Sequence, residues 1–258
     1  MLLDYDDDGP GPVVVLLHGF PLDRTIWASQ AKTIGSMYRV IAPDLRGQGR
    51  TAAPVGIYPI DDMADDVVEL LDALKITEPI VLGGLSMGGY VALSIAVRHP
   101  KRLRALMLIG TRADADPPDA ARVREELAGR VEAAGDVGPV VDAMLPRFFN
   151  ESARERHASV VAALGERMRT ASPRGVAGAL RGMGSRPDRS ADLARITIPT
   201  LVMVGADDAI TPPAVARTLA EALPNAVYAE IPEAGHLAPL ENPAAANAAI
   251  LQFLQSLA

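Results

Sequence analysis

Gly84-Leu-Ser-Met-Gly88 sets a single serine between two glycines, directly after the apolar run Ile80–Leu82 and directly before a helical stretch. A G-x-S-x-G motif is informative in that context because the chain must pass from strand to helix in one sharp turn. Side chains at the flanking positions would collide with the neighbouring strand and helix, so Gly84 and Gly88 relieve the crowding. The turn lifts the Ser86 hydroxyl out of the sheet and brings the Met87 N–H to a helix N-terminus, where a developing oxyanion is favoured. The chemistry this suits is nucleophilic attack on an acyl carbon.

A serine alcohol is a poor nucleophile at neutral pH and needs a base. The chain has four histidines. His99 precedes Pro100 at a helix end and reads as structural or solvated. His157 stands between charged residues in a helical region. His18 ends the first apolar run, beside Gly19, and reads as a shaper of that loop. His236, in Pro232-Glu-Ala-Gly-His-Leu237, follows the last apolar run, and such loops at the carboxyl edge of a parallel sheet carry sites. His236 is the expected base.

The base in turn needs an acid to fix its tautomer and stabilise the imidazolium. Gly205-Ala-Asp-Asp208 follows the run Leu201–Val204, and the chain order Ser, Asp, His fits the arrangement. By local sequence Asp207 and Asp208 both fit, although Asp207 reads more readily as a solvated loop carboxylate. Asp114 and Asp116 are weaker rivals. A second oxyanion donor should come from His18-Gly-Phe-Pro21, where Pro21 lacks an N–H and the Phe20 N–H is the better donor.

These residues require elements to hold them. Val13–Leu17, Tyr38–Ala42, Ile80–Leu82, Ala105–Ile109, Leu201–Val204 and Val227–Ile231 are short apolar runs of the kind buried on both faces of a parallel sheet. Leu2–Tyr5 is a candidate edge strand. Between the runs, Ile60, Met63, Val67, Leu70 or Leu71, and Leu74 recur at helical spacing, with Asp61 and Asp62 at the positive end of the dipole. Met87–His99, Pro213–Leu223 and Ala244–Leu257 are further helices. The alternation predicts an α/β fold: a mostly parallel central sheet with helices on both faces. Thr111 to Asp192 breaks the pattern, with no convincing strand and room for three or four short helices.

The 258 residues are 49% hydrophobic and 22% charged, with a net charge of −7 and no cysteine. Cysteine ligation, thiolate chemistry and disulfides are excluded, and an acidic surface disfavours nucleic acid or an anionic membrane as a partner. The start MLLDYDDDGPGP carries no basic or apolar leader. The longest uncharged stretch, Pro79–Val97, is interrupted by Gly83, Gly84, Gly88 and Gly89 and does not read as a membrane span. A cytoplasmic location is expected.

Taken together, His18-Gly-Phe-Pro21, Pro43-Asp-Leu-Arg-Gly-Gln-Gly-Arg-Thr51, Gly84–Gly89, Ile198–Asp208 and Gly235-His236 resemble the α/β-hydrolase superfamily, and within it the 3-oxoadipate enol-lactonases, related esterases and cofactor-free haloperoxidases. The resemblance implies a core of residues 1–110 and 193–258 with a helical cap, 111–192, inserted in it, and a first strand of the usual eight that is missing or reduced. The family's acid lies three residues after a Gly and three before a Thr-Pro. Gly205 and Thr211-Pro212 give that spacing to Asp208. Trp27 and Gln30 fall where these relatives carry a Trp and a Gln. A serine nucleophile argues against the epoxide hydrolases and haloalkane dehalogenases of this fold, which attack with Asp.

The expected activity is hydrolysis of a small carboxylic ester or lactone through an acyl-enzyme, with Ser86, Asp208 and His236 catalytic, Phe20 and Met87 donating from their backbone, and no metal or cofactor. Two other readings use the same residues: acyl transfer or cofactor-free perhydrolysis, and a ligand receptor on this fold. Trp27, Met144, Leu145, Phe148, Phe149 and Met183 are candidates for lining a substrate pocket, though burial alone also explains apolar residues there. Arg147 could meet a substrate carboxylate or be an ordinary surface charge.

Overall fold

Strands made of continuous Val, Leu and Ile must be covered on both faces, and this demand organises the chain. The computed structural model of the protein describes residues 1–149 and 151–257. Its strands are β1 (Tyr5–Asp8), β2 (Val13–Leu17), β3 (Arg39–Pro43), β4 (Ile80–Leu85), β5 (Leu103–Ile109), β6 (Thr200–Gly205) and β7 (Ala226–Ile231). They form one sheet in the order β1-β3-β2-β4-β5-β6-β7. Only β1 runs antiparallel to its neighbour. The central strands β4 and β6 are buried at every position, whereas the edges β1 and β7 are not.

The helices are α1 (Ala28–Ile34), α2 (Ile60–Ala73), α3 (Met87–Arg98), α4 (Pro118–Ala134), α5 (Gly138–Phe148), α6 (Glu151–Arg156), α7 (Ala158–Arg169), α8 (Pro173–Gly184), α9 (Pro213–Glu221), α10 (Ala238–Glu241) and α11 (Pro243–Gln255). The apolar stripe of α2, from Ile60 and Met63 through Val67, Leu70 and Leu71, is buried, and Asp61 and Asp62 occupy its first turn. α3 is stopped by His99 and Pro100.

Several expectations need correction. The edge strand is Tyr5–Asp8 rather than Leu2–Tyr5. Leu3 is buried in the core, and the strand itself is acidic. An edge tolerates charge, and arginines supply the counter-charges: Arg39 Nε and Nη2 donate to the two Asp7 oxygens at 2.8 and 2.6 Å, and Arg24 Nε stands 2.9 Å from Asp6. The helix α1 went unread because its apolar signal spans only Ala28, Ala31 and Ile34. Among the described residues the stretch between β5 and β6 holds five α-helices, not three or four, and α4 alone has 17 residues. The extra break comes at His157, which precedes α7 as its cap.

Two places bring backbone against backbone. At the β4–α3 turn, a Cβ on Gly84 would overlap the Gly88 carbonyl, and one on Gly88 would overlap the Leu17 carbonyl and lie 2.7 Å from that of His18. Along α8, a Cβ on Gly175 would strike the Gly47 carbonyl, one on Gly182 the Tyr58 carbonyl, and one on Gly178 would lie 2.8 Å from the Gly56 carbonyl. Tyr58 N–H donates to the Gly178 carbonyl at 3.0 Å across the same seam.

Gly88→Ala should cost about 1–3 kcal/mol through overpacking, a fall of several degrees in Tm at roughly 2–4 °C per kcal/mol. Gly129, inside α4, has nothing within 4 Å of an added Cβ. Gly129→Ala should therefore raise stability by up to about 1 kcal/mol through helix propensity. Scanning calorimetry of both variants checks the contrast, and equal shifts would contradict this packing account.

Candidate active site

β4 delivers the chain to Ser86 at φ 52° and ψ −113°, outside the comfortable regions for a residue with a side chain. Hydrogen bonds hold it there from two directions. The Ser86 N–H donates to the Ile109 carbonyl at 2.9 Å, which continues the β4–β5 ladder one step past Leu85 and Ile109. The Ser86 carbonyl accepts from the Thr111 hydroxyl at 2.9 Å and from the Gly89 and Tyr90 N–H groups at 2.9 and 3.2 Å. The Ser86 side chain is half-buried. The loop after β2 passes beside it, since a Cβ on Gly19 would lie 3.3 Å from the Ser86 Cβ.

His236 sits in the loop between β7 and α10, 2% exposed. Its N–H donates to the Phe148 carbonyl at 3.0 Å, and its ring stacks on Phe148 with centroids 5.8 Å apart and planes 13° apart. Its Nδ1 lies 2.9 Å from Asp208 Oδ2. An ionised carboxylate has no hydrogen to give, so the proton of this bond belongs to Nδ1 and Nε2 keeps its lone pair. Asp208 Oδ1 accepts from the Ile210 and Thr211 N–H groups at 2.8 Å each. The carboxylate is thus aimed from both ends. Gly110 faces this pair: a Cβ there would lie 3.4 Å from Asp208 Oδ2 and 3.5 Å from His236 Cε1. Because Ile109 holds the Ser86 N–H, the end of β5 joins the serine turn to the histidine–aspartate pair.

The competing residues lie elsewhere. Asp207 is exposed, its N–H donating to the Ala234 carbonyl at 2.9 Å. Asp116 pairs with Arg186 at 2.7 Å and with Arg124, and Asp114 with Arg112 at 3.6 Å. His99 Nε2 meets Asp65 at 3.1 Å. His18 is fully buried. Its Nε2 accepts the Leu45 N–H at 2.9 Å, so its Nδ1 is the donor to the Gly19 carbonyl at 2.9 Å. Both nitrogens are consumed by backbone, as a shaper of the loop requires.

Phe20 and Met87 each present a backbone N–H with no acceptor among the described residues. Met87 opens α3, whose first-turn N–H groups lack intrahelical acceptors. Of the pocket candidates, Phe148 touches His236 directly. Trp27 is wholly buried, and its indole N–H has no partner among the described residues. Gln30 ties α1 to the C-terminal helices, donating to the Pro239 carbonyl at 3.0 Å and Asn247 Oδ1 at 2.8 Å. Phe149 is buried. Leu145 abuts Gly165 of α7. Met183 lies at the α4–α8 contact, its sulfur 3.6 Å from the Arg124 guanidinium. Met144 is half-buried and Arg147 exposed.

Three residues at this site were not anticipated: Gly110, Thr111 and Glu241. Gly110 and Thr111 directly follow β5, the one central strand end without a flagged motif, and that position was the available signal. Glu241 had none. Among the described residues there is no group of three or more His, Asp or Glu placed to hold a metal ion, and no helix long and apolar enough to cross a membrane.

The sheet order, the strand–serine–helix turn and the buried histidine–aspartate pair define an α/β-hydrolase class of protein. The family model for the α/β hydrolase fold matches residues 12–243, and the chain belongs to that family. Its relatives include 3-oxoadipate enol-lactonase 2 of Acinetobacter baylyi, 30% identical over 93% of this chain and 87% of the relative. The pimeloyl-[acyl-carrier protein] methyl ester esterase of Chromobacterium violaceum is 34% identical over 88% of each. The structure of a thermophilic esterase from Thermogutta terrifontis superposes with a TM-score of 0.96 at 42% identity, covering 99% of this chain and 93% of that one. These relatives are hydrolases, and the chain is a member of a hydrolase family.

Burial lowers the His18 pKa from its ordinary value near 6.5. The unfolded chain therefore binds a proton there that the folded chain refuses, so stability falls as pH drops below about 6.5. His18→Gln should flatten that dependence below about pH 6.5, measured as urea midpoints across the acid range. An unchanged slope would mean that His18 is protonated in the fold.

Proposed function

We propose that this protein is a serine hydrolase that cleaves a small carboxylic ester or lactone through an acyl-enzyme intermediate. The observation that carries the reading is the buried 2.9 Å bond between His236 Nδ1 and Asp208, in a strand-end loop beside the strained serine turn. That bond leaves Nε2 as the free base nitrogen.

Ser86 Oγ attacks the carbonyl carbon as its proton passes to His236 Nε2, and Asp208 stabilises the imidazolium. The oxyanion is received by the Phe20 and Met87 N–H groups, each contributing about 3 kcal/mol to lowering the barrier. Collapse breaks the bond to the leaving oxygen, which takes the proton from His236. Water then gives a proton to His236 and attacks the acyl carbon, and the acid departs as Ser86 regains its hydrogen. In a lactone the leaving alcohol stays attached to the acyl group. Residues 111–192 act as the cap over this site, a role supported by the contact of Phe148 with His236. The stacking of Phe148 on His236 supports Phe148 as a wall of the substrate pocket. The names of the lactonase and esterase relatives agree with this substrate class.

Ser86→Ala should lower turnover of p-nitrophenyl acetate and butyrate by at least about 10³-fold, as loss of such a nucleophile does elsewhere. Asp208→Asn should cost about 10⁴-fold in kcat through the wrong tautomer, and Asp207→Asn little. Steady-state kinetics check all three. Wild-type turnover by the Ser86 variant would end the proposal, and a reversal between the aspartates would reassign the acid.

A further inference from the structure

Behind the histidine loop lies a buried carboxyl that the proposed reaction does not use. Glu241 is the last residue of α10 and is 4% exposed. Its Oε1 accepts the Leu237 N–H at 2.9 Å, while its own N–H donates to the Leu237 carbonyl at 2.9 Å. Residues 237 and 241 are therefore locked reciprocally, in the manner of a capping box displaced by one position. Gly235, on the other side of His236, is pressed on the same group: a Cβ there would lie 3.2 and 3.3 Å from the two Glu241 oxygens. Both chain neighbours of His236 thus rest on one carboxyl. The second oxygen, Oε2, is buried and makes no close hydrogen bond among the described residues, although the Gly235 N–H lies near enough to favour the ionised form.

A solvated helix cap would not need this depth, and burying an oxygen that lacks a close hydrogen bond costs stability. The cost falls on a residue whose contacts bracket the histidine. We propose that Glu241 is a positioning residue for His236: its acceptor oxygen fixes the backbone on either side of the imidazole and so holds the ring against Asp208 and toward Ser86. The proposal rests on the serine hydrolase reading above and deepens it by naming a side chain that positions the base without touching the reacting atoms.

The working feature is the acceptor oxygen rather than negative charge. Burial pushes the Glu241 carboxyl up to about 7, aided by the charge of Asp208 and opposed by the Gly235 and Leu237 N–H groups and by His236. Near neutral pH the group is therefore not a fixed anion. A neutral amide oxygen at the same place should serve as well, and a carboxylate one methylene shorter should not reach.

The test compares Glu241→Gln with Glu241→Asp, using p-nitrophenyl butyrate kinetics and the downfield NMR resonance of the His236 Nδ1 proton. Glu241→Gln should keep kcat within about threefold and keep the resonance. Glu241→Asp should lose about 10- to 100-fold in kcat, the scale of a misplacement near 1 Å, with KM within about threefold and the resonance broadened or lost. Glu241→Met, which keeps the bulk and removes the acceptor, should behave like Glu241→Asp and stands in for it if that variant fails to fold. A folded Glu241→Asp with wild-type kcat, a loss confined to Tm or KM, or a Glu241→Gln as impaired as Glu241→Asp would overturn the positioning role. Ser86→Ala, assayed alongside, separates the two failures: if it turns over normally, the reaction itself is wrong, whatever Glu241 does.

Discussion

The approach of α3 to the end of β2, carbonyl against glycine, is the constraint on which the rest of the molecule depends. Gly88 lies where any side chain would enter the Leu17 and His18 carbonyls, so α3 can begin directly after the serine and lie close against the end of β2. That closeness forces the unusual Ser86 torsions, turns the opening N–H groups of α3 toward the same space as the serine, and presses the Gly19–Phe20 loop against it. The strained residue is stable because the backbone around it is fully used: its N–H by Ile109, its carbonyl by Thr111 and the first turn of α3. Strain of this kind persists only where its surroundings over-determine it.

The histidine–aspartate pair obeys the same logic with side chains in place of backbone. One Asp208 oxygen is spent on two amides of its own turn and the other on the imidazole. The histidine backbone is spent on Phe148, which comes from the excursion between β5 and β6. Four loops that are distant in sequence meet because β4, β5, β6 and β7 are parallel neighbours and end at the same edge, where open α/β sheets gather their sites.

What could be read from residues alone follows from burial. Val13–Leu17 was found at its full extent and β4 to β6 to within three residues, because strands covered on both faces are uninterrupted apolar runs. The edge strand β1 was misplaced because Tyr5 and three aspartates look like a solvated tail. Its charges are met by Arg39 and Arg24, which are remote in sequence. The α/β class, the serine turn and the loop of His236 were legible because each combines a motif with its element. Asp207 and Asp208 could not be separated by local sequence. The distinction lies in which carboxylate the amides of Ile210 and Thr211 turn toward the ring. Thr111 and Glu241 escaped notice because their partners are set by packing between elements, which no spacing records.

The three glycines of α8 have a consequence for how such a protein can diversify. Gly175, Gly178 and Gly182 let that helix lie backbone to backbone on the segment from Gly47 to Tyr58, so α8 has almost no freedom to drift as neighbouring side chains change. No such seam pins α7, where Gly165 meets only the Leu145 and Arg169 side chains. Inherited or engineered variation in size and polarity can therefore accumulate along the exposed face of α7 at little structural cost, while α8 stays a fixed wall. One helix is free to be remodelled because the other is bolted in place.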